Sequence, residues 1–262
     1  MKVAAAAFLT ALVVSPLGLA APPPVLLGIS FPEGFSTRQM VDRVAAVRRI
    51  AIQKRHVTPA LTAKAYADAL RTAVPPASFR PFMHTKSIEG FLFPSLYKFG
   101  PADSARSLVA LQLHEFERSW ATVRPTVDAN PYAVLTVASM VEREAAVAAE
   151  RPLVAAVIWN RLAQKMPLGI DATLRYGLGI PGTRPLTNEQ LQSDSPYNTR
   201  RFTGLPPTPI GNPGLASLRA AASPAAVDYL YYVRIPNTVR HFFTADYSEF
   251  CAKVVEYGYG AC

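Results

Sequence analysis

The stretch Val137-Ala-Ser-Met-Val-Glu-Arg-Glu-Ala-Ala-Val147 is small or apolar except where it carries Glu142, Arg143 and Glu144. On a 3.6-residue period, Val134, Val137, Ala138, Val141, Ala145 and Ala148 form one apolar face with Arg143 roughly opposite, which predicts an amphipathic helix from about Pro131 to Ala149. Both glutamates flank that face. Side chains three and four residues apart touch along a helix, so Glu144 has Met140, Val141, Val147 and Ala148 as neighbours, whereas Glu142 has Ala138, Ser139, Ala145 and Ala146. The bulkier collar around Glu144 would withhold water from its carboxyl group and favour the neutral form. A glutamic acid kept protonated near neutral pH can donate a proton to a glycosidic oxygen. The alternative is that both side chains are solvated or pair with Arg143, Arg151 or Arg161.

Downstream of this helix a second one is expected from Arg151 to about Gln164, followed by a turn-rich region in which Pro and Gly recur from Met166 to Gly214. Proline restricts its own φ and the conformation of its predecessor, so such segments are stiff loops suited to positioning a substrate. Asp171, Thr173, Tyr197, Asn198 and Asn212 are the polar residues in them that could do so. Each also has a structural reading: Asp171 as a turn former, Tyr197 and Asn198 as loop packing, Asn212 as a helix N-cap with Pro213 at the first helical position. Two strands, 228–234 and 240–244, are expected to close the chain as a hairpin around Pro236-Asn237. His241, on the second strand, reads as structural.

Upstream, residues 29–34 read as a short strand ending in a turn, and Ser36-Thr-Arg-Gln39 is a capping box that starts a helix. A further helix is expected from about Thr58 to Ala73, stopped by Val74-Pro-Pro76. The segment Ile88-Glu-Gly-Phe-Leu-Phe-Pro-Ser-Leu-Tyr-Lys-Phe99 is dense in aromatic residues, which either pack in a core or face a sugar groove. Glu89 within it is the other acid singled out for a role in binding. Asp103 or Ser104 can cap a long helix running to about Val123.

With 262 residues, half of them hydrophobic, the chain can bury a core and is not a disordered polymer. Its formal charge of +9 suits nucleic acid, an anionic membrane surface or an acidic polymer without choosing among them. The first twenty residues read as a secretory signal cut after Ala20. A retained anchor is the alternative, because apolar character resumes at Val25 after Pro22-Pro-Pro24. Either outcome places the body outside the cytoplasm, and export together with dispersed basic residues argues against nucleic acid as a partner. Cys251 and Cys262 are close enough in sequence for a short-loop disulfide, with two free thiols as the other reading. The four histidines are scattered, so neither a metal site nor another cofactor is expected.

Seven segments in order resemble the endolytic murein transglycosylases of the YceG-like family: 88–97 (IEGFLFPSLY), 138–144 (ASMVERE), 151–162 (RPLVAAVIWNRL), 166–179 (MPLGIDATLRYGLG), 195–199 (SPYNT), 204–214 (GLPPTPIGNPG) and 228–233 (DYLYYV). The Phe31-Pro-Glu-Gly34 turn and the capped helix after it resemble that family's small LysM-like module. The resemblance implies an α+β protein: a signal peptide or anchor over 1–20, a LysM-like αβ module over 21–80, and a mostly helical catalytic domain over 81–262 with a short C-terminal β-hairpin. It implies a lyase that cuts peptidoglycan glycan strands internally and leaves 1,6-anhydro-N-acetylmuramic acid ends. Cell-wall synthases are candidate partners, and membrane association is left open. The family's catalytic glutamate, the second of its Glu-Lys/Arg-Glu motif, falls on Glu144. The chain departs from the usual family pattern at Ala145, where Ser or Thr is common, and at Ala172 in place of the proline of Asp-Pro-Thr. A lysozyme-type hydrolase and a non-catalytic peptidoglycan-binding scaffold are the competing readings.

Overall fold

Strand β1 (Leu27–Ser30) alternates buried Leu27 and Ile29 with exposed Gly28 and Ser30, the period-2 pattern of a half-buried strand. Its antiparallel partner is β2 (Leu96–Phe99), with Leu27 opposite Phe99 and Ser30 opposite Leu96. Between them lie α1 (Thr37–Arg55) and α2 (Ala63–Thr72). The computed structural model describes residues 25–260, and its architecture is α+β. The αβ unit that begins at β1 therefore takes its second strand from beyond residue 80. The aromatic segment supplying that strand packs inward: Phe91 and Leu92 are fully buried, and Phe91 meets Phe79 and Phe116 edge-on at ring-centroid distances of 5.1 and 5.2 Å.

The α1 capping box forms as the sequence predicts, Ser36 Oγ accepting from the Gln39 N–H and the Gln39 side chain accepting from the Ser36 N–H at 2.9 Å. Thr62 caps α2 and Ser104 caps α3 (Ala105–Trp120).

Helix α4 (Pro131–Glu144) is the centre of the second part. Every residue from Tyr132 to Val141 except Ala133 is buried, and α5 (Arg151–Ala163), α6 (Asp171–Leu178) and α8 (Leu215–Ala222) pack around it. The expected run to Ala149 is not one helix. It ends at Glu144, Ala145 is extended (φ −94°, ψ 104°), and a 3-10 turn (Ala148–Glu150) leads into α5. The break lets α5 fold back against α4, which an unbroken helix could not do, and Pro152 sits in the first turn of α5, where its missing N–H costs no helical hydrogen bond.

A second departure concerns Asn212. The N-cap of α8 is Gly214, not Asn212, whose side chain is turned into the interior. The C-terminal hairpin forms from β3 (Tyr231–Arg234) and β4 (His241–Thr244), Arg234 opposite His241, with Asn237 left-handed (φ 59°) in the turn. Three helices, α6 and α7 (Asn188–Leu191) in the turn-rich region and α9 (Tyr247–Glu256) after the hairpin, have no counterpart in the sequence reading. Among the described residues no helix is long and apolar enough to cross a membrane. The signal or anchor segment and Cys262, the second half of the considered disulfide, lie outside the described residues.

Candidate active site

The two glutamates that flank the apolar face of α4 go different ways. Glu142 accepts from the Gly214 N–H at 2.9 Å and stands 3.6 Å from Arg151, its side chain only 6% exposed. It ties the starts of α5 and α8 to the end of α4. Glu144 is the last residue of α4, and its carboxyl group lines a cleft of about 300 Å³ with Glu33, Arg143, Asp171 and Arg175. Its collar is built differently from the one that continuous helix would supply. Met140 and Val141 are buried one turn back, but Val147 and Ala148 lie past the helix end, and the remaining wall comes from the hairpin.

That wall is Tyr232, whose phenol donates to Glu144 Oε2 at 3.0 Å. Burial pushes the Glu144 carboxyl above its ordinary range and nearby Asp171 adds to this, while the Tyr232 hydrogen bond, His241 and Arg143 oppose it. The C-terminal end of α4 carries the negative pole of the helix dipole, which also disfavours a carboxylate there. The Tyr232 phenol is itself held well above its usual pKa by burial and by Glu144, so it remains a donor throughout the physiological range.

The hairpin is aimed by α5. Asn160 Nδ2 donates to the Val227 and Tyr229 carbonyls, both at 2.9 Å, and Arg161 Nε donates to the Leu230 carbonyl at 2.6 Å. On the next strand, the Glu150 carboxylate accepts from the His241 N–H at 3.1 Å and stands 2.8 Å from His241 Nδ1, and the imidazole packs edge-on against the Tyr232 ring at 5.3 Å. His241 is thus held by Glu150 and braces the tyrosine ring.

The N-terminal turn closes the cleft from the other side. Gly34 is left-handed (φ 75°), and its N–H donates to the Asn212 carbonyl while the Asn212 N–H donates to the Phe35 carbonyl. The strands of this clasp are so close that a Cβ on Gly211 would stand 2.6 Å from the Gly34 carbonyl oxygen, and one on Gly214 would overlap the Glu33 carboxylate. Glu33 is thereby pressed toward Glu142, and burial followed by the charge of Glu142 raises its pKa, Arg151 opposing.

Of the residues singled out from sequence, Glu144 and Asp171 share the cleft, Asp171 at the first position of α6 and paired with Arg200 at 2.7 Å. Glu89 and Tyr197 line an adjoining cavity. Glu89 is buried, accepting from the Thr37 N–H, the Thr37 and Tyr176 hydroxyls and Asn212 Nδ2 at 2.9–3.1 Å. Burial lifts its pKa to about 7 against those donors. The other three are internal. Asn212 bridges the Leu92 N–H, the Phe35 carbonyl and Glu89; Asn198 holds its own loop through the Leu191 and Ser193 carbonyls; Thr173 pairs with Thr199 at 3.0 Å. Residues that sequence reasoning did not assign to the site are Tyr232, Glu33, Arg143, Arg175 and Tyr176. Tyr232 lies within the quoted 228–233 motif, yet an aromatic residue on a strand does not disclose where its hydroxyl points.

This α+β architecture, with an acid at the end of a buried helix facing a polar cleft, has known relatives. A model of the YceG-like family matches residues 3–256, and the chain belongs to that family. It is 39% identical over 154 residues to a protein of Bacillus subtilis (strain 168) named endolytic murein transglycosylase, a match covering 57% of this chain and 42% of that protein. A Streptococcus pneumoniae (strain D39) protein of the same name is 25% identical over 254 residues, covering 89% of this chain and 45% of the relative. The chain spans less than half the length of either. The crystal structure of a yceG-like protein from Listeria monocytogenes superposes with a TM-score of 0.67 at 30% identity, covering 85% of this chain and 74% of that one.

Proposed function

We propose that the chain is an endolytic peptidoglycan lytic transglycosylase of the cell envelope, with Glu144 as its single catalytic residue. Glu144 carries the reading: its carboxyl is largely buried, receives one protein donor among the described residues, and lines a polar cleft. The names of the curated relatives support the same chemistry.

The reactive form in this proposal is the protonated acid, which burial favours. It gives its proton to the oxygen bridging N-acetylmuramic acid and N-acetylglucosamine, and the bond from C1 of the muramoyl residue to that oxygen breaks. The muramoyl C6 hydroxyl closes on C1, and its proton passes to the Glu144 carboxylate. The 1,6-anhydro end forms, the acid is regenerated, and no water is consumed. A hydrolase needs a second carboxylate to activate water or attack C1; this route does not. Tyr232 steadies the carboxylate during the moment it is charged.

The βααβ unit from β1 to β2 serves as the LysM-like glycan-binding module, clasped to the catalytic part by the Gly34–Asn212 backbone pair. Residues 1–20 act as export signal or anchor, and the protein shortens or terminates nascent strands beside the synthases that extend them.

Mass spectrometry of sacculus digests tests the proposal. The wild-type protein is expected to yield muropeptides lighter by one water than their reducing counterparts, and Glu144→Gln to yield none. Reducing ends from the wild type would assign a hydrolase, and unchanged cleavage by Glu144→Gln would remove Glu144 from the chemistry.

A further inference from the structure

Beyond Glu144 the cleft opens into a second lobe of about 570 Å³, the two lobes sharing Arg143, Arg175 and Gly182. The lobes differ in charge. The first holds Glu33, Glu142, Glu144 and Asp171 against the two shared arginines. The second holds Arg38, Arg143 and Arg175 against Asp42 and the fully engaged Glu89.

None of those three guanidinium groups forms an ion pair among the described residues, whereas Arg151 and Arg200 nearby are matched to Glu142 and Asp171. Arg143 reaches only the Gly34 carbonyl at 3.4 Å, and Arg175 only the carbonyls of Pro181 and Arg184. Arg38 lies against Gly179, where a Cβ would come within 2.9 Å of its Nη1. It also occupies the first turn of α1, the positive end of a 19-residue helix, where a cation is disfavoured. Although the carboxylates of the first lobe face Arg143 and Arg175, folding stability does not by itself call for three guanidinium groups without an ion pair on one wall. An anionic ligand does, because a guanidinium fork binds a carboxylate through two parallel hydrogen bonds.

We propose that this lobe is an anion subsite for the free carboxylates of the short peptide carried on the lactyl group of the muramoyl residue, held while the glycan lies over Glu144. The proposal rests on the glycan-cleaving reading above. The lobe's size suits a short peptide, and Tyr176, Tyr197 and Ile210 give it a partly apolar lining for the peptide's methyl groups.

The experiment compares three uncross-linked strand preparations with the full chain: strands with free peptide carboxylates, strands with those carboxylates amidated, and strands stripped of peptide by an amidase. The wild type is expected to cleave the first with kcat/KM about tenfold above the second, as for loss of one charged hydrogen-bonded contact. Arg38→Gln, a change at an exposed position, should raise KM on the first about tenfold, keep kcat, and erase the preference. Equal cleavage of all three by the wild type, or an Arg38→Gln loss of the same size on all three, overturns the subsite. Calorimetry with the isolated peptide, free and amidated, reads the subsite apart from turnover. Binding of the free form weakened by Arg38→Gln supports it even if no glycan is cut, and equal binding of both forms overturns it.

Discussion

Glu89 and Glu144 are both carboxyl groups withdrawn from water, and their surroundings differ in kind. Glu89 sits at the start of α1 and takes hydrogen bonds from Thr37, Tyr176 and Asn212. Glu144 sits at the end of α4, where the backbone dipole opposes its charge, and takes one hydrogen bond, from Tyr232. Burial raises the pKa of both. The distinguishing quantity is the number of donors: Glu89, saturated by donors on fixed elements, reads as a strut, whereas Glu144, with one donor among the described residues and a face on the cleft, is the acid placed to deliver a proton in the proposed reaction.

The largest expected effect follows from that contrast. Glu144→Gln should lower kcat by about 10²–10⁴-fold, the usual contribution of a general acid, and leave the urea unfolding midpoint near that of the wild type. An unfolded variant, or one with normal turnover, would break the contrast from the Glu144 side.

Asn212 is the next largest. Its amide serves the Leu92 N–H, the Phe35 carbonyl and Glu89 at once. Asn212→Leu leaves buried groups unpaired and is expected to cost roughly 3 kcal/mol of stability, measured by urea denaturation. A cost below ~1 kcal/mol would mean that the strut is not one.

Glu89 then makes a pH prediction whose sign follows from its raised pKa of about 7. Between the unfolded value of 4.5 and about 7 the folded chain binds the extra proton, so stability from this residue is full below that window and declines as pH rises through it. The decline amounts to about 3 kcal/mol at most. Unfolding free energies at pH 5 and pH 8 should differ less in Glu89→Gln than in the wild type; an unchanged difference would mean that donors, not burial, dominate at this position.

The smallest effect is at Tyr232. Its hydrogen bond lowers the Glu144 pKa, so Tyr232→Phe should move the alkaline limb of the kcat/KM profile, where the acid loses its proton, to higher pH. A limb that stays in place would detach Tyr232 from the acid.

Much of the local structure was legible in advance. The Ser36–Gln39 box, the Ser104 cap, the apolar face of α4 and the Asn237 turn each depend on residues within a few positions of one another, so spacing and residue type suffice, whereas α2 starts at Ala63 behind a Thr62 cap, later than the expected Thr58. The end of α4 was misread because the apolar spacing continues through Ala148, while the helix stops where α5 must turn back. Asn212 was misread for a related reason: Asn-Pro is a good start to a helix, but the buried Glu89 carboxylate and the Leu92 N–H are stronger claims on its amide. The aromatic segment 88–99 left core and sugar groove both open, and only its position between Phe79 and Phe116 resolves it as core.

By itself the sequence determined the long amphipathic and capped helices, where the hairpin turns, and that position 144 carries an acid on the flank of a buried helix, because backbone propensity, capping and periodicity are short-range. The tertiary structure decided that β1 pairs with β2, that Tyr232 reaches the acid, that Asn212 faces Glu89, and that Arg38, Arg143 and Arg175 share one wall. Those contacts join residues far apart in the chain, and their energies depend on which surfaces close packing brings together, a property that no single segment contains.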